Sequence, residues 1–207
     1  QFTNNPNKHF LPHPIYDIFG EKVSKQEARS HLKLGGEEKV ILFFGFIRKY
    51  KGLDLLLEAM ADTRIKQLNV KLIVAGEYYE DRIFYEDIIN KHILSNSVIL
   101  KTEYIASEEV KHYFCAADMV VQPYRNATQS GVTQIAYHFE RPMLVTNVGG
   151  LSEIVPDKKV GYVVKTDTTH IADALVDFYT NNREEAFSAQ TAIEKKRFSW
   201  ESFVMGI

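Results

Sequence analysis

Two stretches of this chain carry residue types that could hold an anion. The first is Gly45-Phe46-Ile47-Arg48-Lys49-Tyr50-Lys51-Gly52, which gathers cations just ahead of an apolar helical stripe. A helix N-terminus favours anions through its free N–H groups and its dipole. An Arg can fork onto phosphate oxygens, and a Lys adds a point charge. The second is Pro123-Tyr124-Arg125-Asn126-Ala127-Thr128-Gln129-Ser130-Gly131-Val132, polar throughout and running straight into another helix. Its amides could cradle a second anionic group. Taken singly, a solvated basic loop and an unliganded helix start account for the same letters. Placed at one crevice, the two stretches point to a diphosphate.

The elements between them decide whether they meet. Val40-Ile41-Leu42-Phe43-Phe44 is a continuous apolar run, as expected of a strand covered on both faces, and Gly45 ends it. Leu53, Leu56, Leu57 and Met60 then fall at helical spacing. The alternation continues with strands expected at Val70 to Ala75, Val98 to Leu100, Met119 to Val121, Met143 to Val145 and Gly161 to Val164. Between them, helices are expected over Glu80 to Leu94, from Ser107 through Ala117, from Ser130 to before Pro142, briefly after Gly149-Gly150, and through Ile171, Leu175, Phe178 and Tyr179. Ser107 is read as the cap of its helix, with Glu108 and Glu109 complementing the dipole. Six strands alternating with helices imply an α/β, Rossmann-like, doubly wound parallel sheet in three layers. In such sheets ligands sit at the carboxyl ends of strands where strand order reverses, which selects the loops after strands one and four.

The expected organisation is a linker and leading helix over residues 1–37, a Rossmann-like domain over 38–190 and a helical tail over 191–207. Asn4, Asn5, Pro6, Asn7, Pro12 and Pro14 mark the linker, and a short charged helix follows from about Ser24 to Leu34. The chain opens on Gln1 rather than Met, so the expectation is a fragment or processed product with a second half elsewhere.

Composition removes several classes. The 207 residues are 45% hydrophobic with a formal net charge of −2, which is globular and lacks the basic footprint of a nucleic-acid binder. One cysteine excludes an internal disulfide framework and fits a reducing compartment. No GxGxxG follows the first strand, and no Gly-Lys-Ser/Thr loop or Gly-x-Ser-x-Gly elbow is present. His9 and His13 lie four apart in a Pro-rich segment and are not read as ligands. The other histidines are scattered and read as structural or exposed, so no metal site is assigned. Cys115 lies in an apolar helix and reads as core. The Asn126-Ala127-Thr128 sequon reads as chance. Gly149-Gly150 with Glu153 fits either a backbone approach to a ligand or a tight turn.

Gly45 to Met60, Val74-Ala75-Gly76-Glu77, Ala116-Ala117-Asp118 through Pro123, Val148 to Glu153 and Phe198-Ser199-Trp200-Glu201 together resemble the C-terminal half of retaining glycosyltransferases of family four, of GT-B fold. The resemblance covers nearly all of residues 38–204. It implies that this domain binds a nucleotide-diphosphate sugar, that a separate N-terminal domain binds the acceptor glycan or lipid-linked sugar, and that the donor site needs no metal or other cofactor. By resemblance Lys51 is the phosphate-binding lysine. Arg48 takes the family arginine's role, displaced two positions because Phe46 stands in its place. Ser130, Gly131 and Val132 match the helix start that cradles the diphosphate, Tyr104 and Ile105 match the segment lining the base pocket, and Gly45 and Glu77 complete the donor-binding set.

One departure stands out. The family usually carries a Glu after strand four and another eight positions later, where this chain has Ala127 and Ile135. Thr128, Gln129 or Gln134 could bond donor hydroxyls from neighbouring positions. The expected activity is hexose transfer with retention to a hydroxyl acceptor, in which Arg48, Lys51 and helix amides stabilise the departing nucleoside diphosphate. The isolated fragment is expected to be inactive. The resemblance implies polysaccharide biosynthesis in the cytoplasm and no nucleic-acid partner, and leaves open peripheral association of the full-length protein with the inner membrane face. The rival readings are a GT-B nucleotide-sugar epimerase and a non-catalytic nucleotide-sugar-binding descendant.

Overall fold

The computed structural model describes residues 14–205. In chain order the elements are α1 (Lys25–His31), β1 (Lys39–Phe44), a 3-10 turn (Lys49–Lys51), α2 (Leu53–Met60), α3 (Thr63–Gln67) and β2 (Val70–Ala75). Then come α4 (Arg82–Lys91), β3 (Val98–Lys101), α5 (Ser107–Ala116), β4 (Met119–Gln122), α6 (Gly131–His138) and β5 (Met143–Thr146). The chain continues with α7 (Leu151–Ile154), β6 (Gly161–Val164), α8 (Thr168–Thr180), α9 (Glu184–Glu194), a 3-10 turn (Lys195–Phe198) and α10 (Trp200–Met205). His9 and His13 lie outside the described residues.

All six strands are parallel, in the order β3-β2-β1-β4-β5-β6. Each strand presents alternate side chains to two separate cores. Ile41 and Phe43 point to the side holding α2, α4 and α8, whereas Val40 and Leu42 point to the side holding α5 and α6. Covering both faces explains why the β1 letters are apolar without alternation. The result is the expected three-layer, Rossmann-like fold. Sheet growth reverses between β1 and β4, so the loops after these two strands part at that point.

Local details differ from expectation at helix ends. α4 begins at Arg82 rather than Glu80 because Asp81 caps it, its side chain accepting from the Ile83 N–H at 2.9 Å. Ser107 does not cap α5; it lies inside the first turn, one position late, and Ala106 occupies the cap without a side-chain bond. α6 stops at His138, short of Pro142, because Glu140 takes a left-handed φ of 57° while the Arg141 N–H donates to the Ala136 carbonyl at 2.8 Å. The helix α3 had no counterpart in the sequence reading.

At the amino ends of the strands lies a buried charge cluster. The Asp118 carboxylate accepts from Arg29 Nη2 at 2.8 Å, the Val40 N–H at 2.7 Å and the Tyr179 hydroxyl at 3.1 Å, and it pairs with Lys25. Arg29 also donates to the Ala116 and Gly36 carbonyls. α1 is thereby pinned to the sheet and packs on α5, with Ala28 in the core. Asp118 and Arg29 are 3% and 4% exposed, so neither charge can turn to water. Replacing Asp118 with Ala strands Arg29 and is expected to cost about 3–5 kcal/mol, read as a lower urea midpoint at unchanged slope; a loss below about 1 kcal/mol would mean that water already solvates the cluster.

Candidate functional site

The site is built from backbone contacts before side chains. Beyond β1 the chain turns at Gly45, whose φ is +91°, and the Gly45 N–H donates to the Ala75 carbonyl at 2.8 Å. The Ile47 N–H donates to the Glu77 carbonyl at 2.8 Å, so the loops after β1 and β2 run together. Gly52, with φ +68°, lies where a Cβ would stand 2.0 Å from the Pro123 carbonyl oxygen. Only glycine fits there. The Arg125 N–H donates to the Tyr50 carbonyl at 2.7 Å, and the Arg125 side chain pairs with Asp54 on α2. The loops after β1 and β4 are therefore bound to each other at the point where strand order reverses.

Lys51 occupies the centre of this junction. Its ammonium stands 2.9 Å from where a Gly45 Cβ would be, and Val132 in the first turn of α6 lies 3.8 Å from that same point. The nitrogen also lies 5.8 Å from the centroid of the Tyr124 ring. The residue is 8% exposed, and no carboxylate among the described residues pairs with it. Burial, and then the nearby charge of Arg48, push its pKa down to about 8. An ammonium held out of water with no counter-ion is a site prepared for an anion. Arg48 is exposed, its guanidinium stacked 4.9 Å from the centroid of Tyr79, which also packs on Phe46 at 4.5 Å.

The start of α6 completes the junction. Ser130 takes the N-cap position, yet its side chain does not cap the helix. The hydroxyl instead donates to Gln122 Oε1 at 2.7 Å, beside Thr133 Oγ1 at 3.0 Å. None of the described residues accepts from the Gly131 or Val132 N–H. Tyr16 lies over Gly131, its ring 3.0 Å from where a Cβ would be. Tyr16, Gln129, Ser130, Gly131 and Gln134 enclose a pocket of about 110 Å³. Gln134 is 3% exposed and its Oε1 has no hydrogen-bond partner among the described residues. Gly149 and Gly150 serve the loop rather than a ligand: a Cβ on either would strike the Ala127 or Thr128 carbonyl oxygen.

Gly45, Arg48, Lys51, Val132 and the Ser130-Gly131 turn are thus brought to one junction. Gln129 and Gln134 border its α6 side, while Thr128 is exposed with its backbone against Gly150. Glu77 joins through its backbone alone. Tyr104 is 73% exposed beyond β3, and Ile105 packs towards the α5 core, so neither shares in these contacts. Ile135 is in the core, which explains how an apolar side chain stands where the resembled family carries a carboxylate. The sequence reading missed Tyr16, Tyr79 and Gln122. Only Gln122 gave a signal, as a polar side chain in a buried strand. A larger cavity, about 730 Å³, opens near the amino ends of the strands, but the charges of its Arg29, Asp118 and Glu184 are already paired with one another or with Lys25.

Comparison with known proteins shows the fold and the family. Over 216 aligned residues the chain is 28% identical to a D-inositol 3-phosphate glycosyltransferase of a Nocardioides species, covering 97% of this chain and 47% of that protein. The chain spans about half the length of the curated relatives it matches. Sucrose-phosphate synthase from Thermosynechococcus elongatus superposes with a TM-score of 0.82 at 22% identity, covering 94% of this chain and 49% of that one. HepE of Anabaena, solved in complex with UDP and glucose, superposes with a TM-score of 0.74 at 20% identity, covering 92% and 53%. Among the described residues no helix is long and apolar enough to cross a membrane. Residues 38–181, which include β1 to α8 and the whole junction around Lys51, match the family described as glycosyl transferases group 1, and the chain belongs to that family.

Proposed function

We propose that this chain is the donor-binding domain of a retaining hexosyltransferase of family four, acting on a nucleotide-diphosphate sugar. The observation that carries the reading is the uncompensated Lys51 ammonium between Gly45 and the open first turn of α6. A diphosphate at that junction supplies the missing negative charge and accepts from the Gly131 and Val132 amides. When the glycosidic bond to the leaving phosphate breaks, negative charge grows on the phosphate oxygens. Lys51, Arg48 and the α6 amides stabilise that charge more than they stabilise the bound donor. No metal is assigned to the donor site in this reading, because these groups already supply the positive charge.

The UDP and glucose bound in the HepE structure support a nucleotide-sugar ligand for a domain of this fold. The acceptor, a glycan or lipid-linked sugar, falls to a second domain, as the half-length match to relatives suggests. Retention by same-face displacement is carried into this reading by the resemblance to family four. Alone, the domain holds nucleotide without transferring sugar. Gln134, buried with an unpartnered Oε1 beside the α6 start, takes a donor hydroxyl in place of the carboxylate that Ile135 cannot provide. A cytoplasmic site of action follows from the same assignment, with polysaccharide or lipid-linked glycan synthesis as its setting.

Three measurements test these statements. Calorimetry with UDP, GDP and ADP is expected to show binding of at least one nucleoside diphosphate, weakened about tenfold or more by Lys51→Ala and severalfold by Arg48→Ala; unchanged affinity in both variants would refute the phosphate assignment. Diphosphate binding restores the Lys51 proton, so above pH 8 affinity should fall by about tenfold per pH unit with uptake of about one proton. That dependence should vanish in Lys51→Ala, and its persistence there would assign it to another group. Because the folded-state value lies below the ordinary one, the unfolded chain holds the Lys51 proton more tightly. The cost of the buried charge is therefore full below pH 8 and fades towards pH 10.5. Lys51→Met should stabilise the ligand-free domain at pH 7 by roughly 1–3 kcal/mol in urea titration while weakening diphosphate binding as Lys51→Ala does; a destabilised variant would show that the ammonium is solvated.

A further inference from the structure

Away from the junction, the seam between α1 and α5 brings together three side chains that the sequence holds far apart. His31, the last residue of α1, stacks on His112 of α5 with ring centroids 3.9 Å apart and planes 15° from parallel. Its Nε2 lies 2.7 Å from Glu109 Oε2, one turn before His112 on the same face of α5. One ligand atom from each of the three side chains lies within 4.8 Å of the others. His112 is 9% exposed, and its Nδ1, shut away from solvent, has no hydrogen-bond partner among the described residues. A buried imidazole nitrogen with nothing to bond is unusual and calls for an occupant.

Burial, followed by the charge of His31 against it, holds the His112 pKa below the ordinary histidine value. An imidazole that is neutral offers a lone pair, the form that a metal ligand needs. His31 and Glu109 are partly exposed, at 42% and 40% of their side-chain surface. Two imidazoles and one carboxylate suit zinc and its neighbours, whereas magnesium and calcium take oxygen donors.

We propose that His31, Glu109 and His112 form a binding site for a divalent transition metal of the zinc class, which clips α1 to α5. The ligands come from two helices that already pack on each other, and zinc would draw their ligand atoms in from within 4.8 Å to about 2.1 Å of the ion. Such a clip ties the segment leading into the sheet to its outer layer, and binding stabilises the fold by mass action.

The test uses the metal-free chain, titrated with Zn²⁺ by calorimetry and with Co²⁺ by visible absorption, whose ligand-field bands report imidazole coordination. The expected results are one Zn²⁺ per chain, a higher thermal midpoint with Zn²⁺, and an intense low-coordination Co²⁺ band. His31→Ala, which truncates a partly exposed helix end and should leave the far-ultraviolet dichroism unchanged, and Glu109→Gln should each weaken Zn²⁺ binding by about tenfold or more. The His9→Ala/His13→Ala double variant should bind as tightly as the parent. A parent chain without the Co²⁺ band, equal Zn²⁺ affinity in His31→Ala, or loss of binding in the His9/His13 variant instead would each overturn the assignment.

Discussion

Between β1 and β4 the sheet changes its direction of growth, and every feature of the candidate site follows from the gap that this opens. Two parallel strands that begin side by side must send their outgoing chains to different partners, since one crossover leads to β2 and the other to β5. Where the outgoing loops separate, neither can satisfy the other's polar groups completely. The closure is nevertheless tight, because the Pro123 carbonyl presses on Gly52 and the Arg125 amide reaches Tyr50. That closeness leaves Lys51 no route to water except through the crevice itself.

The two ends of the same strands treat charge in opposite ways. At the amino ends, Asp118 is buried but surrounded by donors from Arg29, Lys25, Tyr179 and the Val40 amide, so its burial strengthens the fold. At the carboxyl ends, Lys51 is buried beside glycine, an aromatic face and another cation, with no acid among the described residues paired to it. The first arrangement pairs its charges internally, and the second leaves a buried charge without a paired acid among the described residues. Paired and unpaired buried charge are thus divided along the length of β1 and β4, and the larger cavity lies at the paired end.

The layered sheet was legible because its signal is local. Apolar runs such as Val40 to Phe44, glycines at strand ends and helical stripes such as Leu53 to Met60 each occupy one short window. The basic loop before α2 and the polar loop before α6 could be paired from topology alone, since the reversal point follows from strand order. Contacts that depend on tertiary packing were not legible. Tyr16 over Gly131 and His31 on His112 join positions scores of residues apart, and no spacing rule links them. Ser107 misled for a finer reason: a capping residue works only from one side of the helix boundary, and Ser107 falls one position inside it. Ser130 stands in the right place but spends its hydroxyl on Gln122, which no inspection of the loop alone could reveal.

Glu140 joins parts of the chain that lie far apart in sequence. It sits just past α6 in a left-handed conformation that a non-glycine residue rarely adopts, and its carboxylate holds Lys22 and Lys195, each at 2.6 Å. Nearby, the Ile15 N–H donates to the Phe198 carbonyl at 2.9 Å, and the Phe198 ring packs on Tyr137 of α6. The inbound and outbound lengths of polypeptide are therefore lashed to one another and to the back of the helix whose front faces the crevice. A twist applied to either length is shared by both, and α6 lies at the knot.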